Sequence, residues 1–166
     1  MLTRAFIHGL ESTSRGNKGT FFRERYPDMI IEDFGGPFKE RMEKLESLLA
    51  GRNGLILVGS SYGGLMAAVY ACLHEERVTR LILLAPALHL DPYKPYLDHK
   101  LRIPVALFHG LRDDVVPFEA VRAIADRLFE NHAWNLLDDD HALHDTFATL
   151  PWDTLLERTL SDIEAC

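Results

Sequence analysis

Residues 55–73 read LILVGSSYGGLMAAVYACL. Leu55–Val58 is purely aliphatic, which suits a parallel strand covered on both faces. Tyr62–Leu73 is apolar nearly all round, which suits a central buried helix. Between them, Gly59-Ser60-Ser61-Tyr62-Gly63-Gly64 contains Gly-x-Ser-x-Gly centred on Ser61. Ser60 cannot take that position, because Val58 and Tyr62 flank it where glycines are needed. A sharp strand-to-helix turn pushes one side chain into a strained conformation, and glycines two residues either side let neighbouring backbone come close. The turn also puts Ser61 at a helix N-terminus, where free N–H groups favour a developing oxyanion. Alone the pattern is weak, since a glycine-rich turn with Ser61 merely capping the helix satisfies it too.

Outward from this stretch, apolar β-rich runs alternate with helical patterns. Residues 2–8, Met29–Glu32, Leu81–Ala85, Val105–Phe108 and Ala133–Leu137 read as five further strands. Phe38, Met42, Leu45 and Leu49 recur at helical spacing within Pro37–Ala50, and Gly51 follows as a stop. Pro117 suits a first helical position ahead of Val121, Ile124 and Leu128. A last helix is expected from near Pro151, carrying Leu155, Leu156, Leu160 and Ile163. Strand–helix alternation implies a parallel sheet in one α/β domain spanning 1–166.

Two segments complement Ser61. At the end of the fifth strand stands His109-Gly110-Leu111-Arg112-Asp113-Asp114-Val115-Val116-Pro117, and after the sixth come Asp138-Asp139-Asp140-His141-Ala142-Leu143-His144-Asp145. The C-terminal ends of parallel strands share one sheet edge, so a Ser, an Asp and a His from three loops can converge there. Asp113 competes with Asp114 for the acid position, and His141 with His144 for the base.

The chain resembles an α/β-hydrolase-fold serine hydrolase, of the small lidless bacterial esterase type. The resemblance rests on His8-Gly9-Leu10, the Gly59–Gly64 turn, His109-Gly110-x-x-Asp113-x-x-Val116-Pro117 and the His141 loop, and spans residue 2 to about 150. It implies a minimal three-layer αβα sandwich with a six-stranded parallel sheet, order 2-1-3-4-5-6, and no large cap. It also implies Ser61 as nucleophile, His141 as general base and Asp113 as its partner, with the backbone N–H groups of Leu10 and Tyr62 as oxyanion hole. The family's spacing favours Asp113 over Asp114 and His141 over His144. His8 and His109 then read as structural hydrogen-bonders beneath the loops.

Only Pro86–Pro104 is long enough to cover such a site. Leu88, Leu90, Tyr93 and Tyr96 are candidates either for its pocket wall or for packing the loop down, and so short a covering implies an open pocket for small or short-chain esters. Thioesterase or acyltransferase chemistry uses the same residues, and a non-catalytic hydrolase-like binding module is the alternative from another class. Asp138–Asp140 reads as a solvated run, so no metal or cofactor is expected. Cys72 reads as inert packing.

Apolar residues make up 47% and charged residues 26%, as in ordinary soluble domains. The net charge of −7 lacks the footprint of a general nucleic-acid or anionic-membrane binder. Residues 1–27 nevertheless carry five basic and two acidic side chains. These read first as solvated charges; because their loop adjoins the expected oxyanion hole, Arg15 and Lys18 are also candidates to receive an anionic part of a small-molecule ester substrate. Two cysteines, Cys72 and Cys166, form no framework, and the first apolar stretch is too short for a signal peptide. The expectation is a cytoplasmic protein that meets neither nucleic acid nor membrane, with its oligomeric state left open.

Overall fold

In a computed structural model describing residues 2–157, the aliphatic runs become a six-stranded sheet. The elements, in chain order, are β1 (Thr3–Ile7), α1 (Asn17–Arg25), β2 (Ile30–Ile31), α2 (Phe38–Leu49), β3 (Leu55–Ser60), α3 (Tyr62–Leu73), β4 (Val78–Leu84), β5 (Leu101–Gly110), α4 (Phe118–Leu128), β6 (Phe129–Leu137) and α5 (Trp152–Leu156). All neighbouring strands pair in parallel, in the order β2-β1-β3-β4-β5-β6. This is the strand order expected above, without a large cap among the described residues.

Alternating side chains of the central strands feed two cores. Leu55 and Leu57 join the cluster under α2, α3 and α4, while Ile56 and Val58 join Phe22 of α1 and Trp152 and Leu156 of α5 on the opposite face. That division makes the three αβα layers. The short α5 is anchored through its free C-terminal carbonyls: Arg4 donates to Leu156 O at 2.9 Å and Arg80 to Leu155 O at 2.8 Å. Leu160 and Ile163 lie outside the described residues. No described helix is long and apolar enough to cross a membrane.

Strands β4 and β5 begin three and four residues before their expected starts, and two other elements depart from expectation in kind. The stretch after β1 forms helix α1, which buries only Gly19 and Phe22 and so carries no apolar stripe to announce it. Strand β6 begins four residues before Ala133. It is an edge strand, and its first half, Phe129-Glu130-Asn131-His132, is mostly polar because one margin faces solvent.

The order in which strands are added reverses about β1, with β2 on one side and β3 on the other. The C-terminal ends of β1 and β3 therefore flank a crevice at the topological switch point.

Candidate active site

Ser61 follows β3 directly and has φ 54° and ψ −112°, a left-handed conformation costing a non-glycine residue about 1–3 kcal/mol. Hydrogen bonds hold it there: its N–H donates to Leu84 O at 2.8 Å, and its carbonyl accepts from Gly64, Leu65 and Ala87. The neighbouring glycines are required by close approach. A Cβ on Gly59 would fall 2.4 Å from Gly63 O, and one on Gly63 would fall 2.0 Å from Ile7 O. Leu10 and Tyr62 line the same cavity as Ser61, and among the described residues no backbone acceptor takes their N–H groups.

His141 sits between Ser61 and Asp113. Its Nδ1 lies 2.8 Å from Asp113 Oδ2 and its Nε2 lies 3.1 Å from Ser61 Oγ. A carboxylate only accepts, so Nδ1–H donates to Asp113 and Nε2 is left to accept from the serine hydroxyl. Asp113 is almost fully buried, with its other oxygen accepting the amides of Val115 and Val116, both at 2.9 Å. Asp114 is exposed. His144 pairs with Asp140 at 2.6 Å instead of reaching the serine.

His109 packs beneath this chain, with Nε2 3.3 Å from Asp113 Oδ2 and its ring against Phe118. Burial holds its pKa below the usual imidazole value. His8 is a structural linker: Nδ1–H donates to Gly9 O at 2.7 Å and Nε2 accepts the amide of Phe34 at 2.9 Å.

The loop carrying His141 is organised by Asp139, a residue that sequence reasoning did not single out. Its buried carboxylate accepts the amides of Asp140, Asp145 and Thr146 and the hydroxyl of Thr146. Burial pushes its pKa up, but these four donors outweigh that and hold it below the usual carboxylate value. Its neighbours point elsewhere, Asp138 to Arg112 and Asp140 to His144. Nothing in three consecutive aspartates tells which one turns inward. Asp139→Ala strands four donors and is expected to cost on the order of 2–3 kcal/mol, lowering Tm by about 5–10 °C. Thermal melts followed by circular dichroism check this, and a shift below about 1 °C would show that Asp139 does not hold the loop.

A cavity of about 590 Å³ opens beside Ser61, a volume in the range of small-molecule sites. Phe6, Leu90, Val116, Leu143 and Phe147 supply apolar wall, and Lys18, His89 and His144 supply polar groups. His89 is half-buried, and burial pushes its pKa down.

Residues 14–153 match the family model described as alpha/beta hydrolase fold. The chain belongs to the α/β-hydrolase family. Among solved structures, α/β-hydrolase domain-containing protein 10 from mouse is similar at TM-score 0.76 and 22% identity, over 92% of this chain and 87% of that one. Est1E from Butyrivibrio proteoclasticus aligns at TM-score 0.78 and 18% identity, over 98% and 88% respectively. Paleococcus ferrophilus monoacylglycerol lipase aligns at TM-score 0.71 and 16% identity, over 92% and 93%. No curated protein matches by sequence. Membership of this family supports a hydrolase.

In this α/β-hydrolase, four residues expected at the pocket lie elsewhere, among them Tyr96, which packs against the core. Leu88 and Tyr93 are fully buried in the core, because the 3-10 turn Asp91–Tyr96 folds down onto α3 and sets the Tyr93 hydroxyl 3.9 Å from Cys72 Sγ. Leu90, in contrast, does line the cavity. Arg15 is exposed in a separate depression with Arg23, Glu32 and Asp33, since the start of α1 turns it away from Ser61. Lys18, three residues on and inside α1, lines the cavity. Cys72 is buried, and that burial pushes its thiol up to about 12, which leaves essentially no thiolate at neutral pH.

Proposed function

We propose that the protein is a serine hydrolase that cleaves small or short-chain carboxylic esters through an acyl-enzyme. The observation that carries this is His141 bridging Ser61 Oγ at 3.1 Å and Asp113 Oδ2 at 2.8 Å. Ser61 Oγ attacks the ester carbonyl carbon while His141 Nε2 takes its proton. Asp113, held by two backbone amides, keeps Nδ1–H in place and stabilises the imidazolium. The Leu10 and Tyr62 amides receive the oxyanion, each worth about 10²–10³ in rate. Collapse of the tetrahedral adduct breaks the C–O bond, and His141 returns the proton to the departing alcohol. Water then repeats the sequence on the acyl-serine, releasing the acid and restoring Ser61.

Support for short acyl chains comes from the absence of a large cap over the cavity. Hydrolysis of a p-nitrophenyl ester series is expected to peak at short chains and to fall well before twelve carbons. A maximum at twelve or more would contradict the short-chain assignment. Faster turnover of a matched thioester would move the function to a thioesterase with the same residues.

A further inference from the structure

Lys18 stands in the first turn of α1 with its side chain on the cavity wall. Its Nζ donates to Ala142 O, the carbonyl one residue past His141, and lies 5.3 Å from the Phe147 ring centre. An ammonium has three donors, and among the described residues no other acceptor takes them. The nearest carboxylates, Asp139 and Asp140, act on it only through space and are engaged with their own donors. Glu11, the only acidic residue lining the cavity among the described residues, is exposed on the loop after β1. Burying a cation costs free energy unless it is paired, and burial holds the Lys18 pKa below its usual value. A half-buried cation on a cavity wall that no carboxylate among the described residues pairs with directly is a binding feature for an anion.

The position also selects which half of the substrate meets it. In acyl transfer the base returns its proton to the leaving group, so the leaving group lies on the His141 side of the scissile bond. Lys18 is tied to the residue beside His141. We infer that Lys18 forms a subsite for an anionic group, carboxylate or phosphate, carried by the alcohol half of the ester. This deepens the serine-hydrolase reading and rests on it.

The test compares 4-acetoxybenzoate with 4-acetoxybenzamide, which place a carboxylate or a neutral amide on the same leaving group. Wild-type protein is expected to favour the carboxylate ester by about tenfold in kcat/KM. Lys18→Met is expected to bring that ratio to about one, and Lys18→Arg to keep it above the methionine variant. If both rates fall together in Lys18→Met with the ratio kept, Lys18 only clamps the His141 loop and the anion subsite is overturned. An anion preference seen only on the acyl side, with p-nitrophenyl hemisuccinate against the butyrate, overturns the placement. Wild-type protein that labels with a fluorophosphonate yet does not favour the carboxylate ester overturns the subsite alone. Protein that neither labels nor turns over either ester overturns the hydrolase reading with it.

Discussion

Ser61→Ala is expected to lower kcat for a short-chain p-nitrophenyl ester by about 10⁴–10⁶-fold, with KM little changed. The size of the effect follows from what the change removes. Alanine leaves the Leu10 and Tyr62 amides and the cavity wall in place, so substrate still binds and its carbonyl is still polarised. No atom remains to attack, and His141 has no hydroxyl from which to take a proton. The residual rate is that of water in a pre-organised oxyanion site, roughly 10³–10⁴ above solution. Because Ser61 holds φ 54°, alanine there keeps the same backbone strain, and stability should stay close to the wild type. A loss below tenfold, measured under saturating ester, would exclude Ser61 as nucleophile.

Asp113→Asn is expected to cost about 10⁴-fold in kcat without unfolding the protein. The amide oxygen of asparagine can keep the two bonds from Val115 and Val116 that now end on Oδ1. Its NH₂ then faces His141 Nδ1, where a donor meets a donor. The imidazole relieves that conflict by moving its proton to Nε2, which can no longer accept from Ser61. His109, 3.3 Å from the same carboxylate oxygen, cannot compensate, since its ring is locked against Phe118 and points at Asp113 rather than at Ser61. Asp114→Asn is the control, expected to be near neutral because that side chain is exposed. Equal losses in the two variants would contradict the assignment of Asp113.

Much of the architecture was legible because the parallel sheet is buried on both faces. Leu55–Val58 and Leu81–Leu84 show their role in plain aliphatic runs, and the glycines around Ser61 mark where backbone must touch backbone. Helix α1 was hidden because it rests on one buried aromatic, Phe22, in an otherwise polar segment. The polar start of β6 hid in the same way, since an edge strand need not be apolar.

At the site, the strand ends that carry Ser61, Asp113 and His141 are legible from chain order, whereas the choice of Asp113 over Asp114 and of His141 over His144 rests on the family resemblance. The pocket wall was not legible. Leu88 and Leu90 are two residues apart, yet one packs into the core and the other lines the cavity. Arg15 and Lys18 are likewise separated only by the direction in which α1 starts. Side-chain direction in irregular segments depends on tertiary packing, which periodicity does not carry. Asp139 was illegible for a related reason: its partners, Asp145 and Thr146, become neighbours only once the loop has closed.

Active-site labelling tests most directly whether Ser61 is an activated nucleophile in this geometry. Folded wild-type protein treated with a fluorophosphonate and mapped by peptide mass spectrometry is expected to carry one adduct per chain, on Ser61 Oγ. The adduct should be absent from Ser61→Ala and strongly slowed in Asp113→Asn. Folded wild-type protein that takes up no probe, or carries it on another residue, would contradict the account.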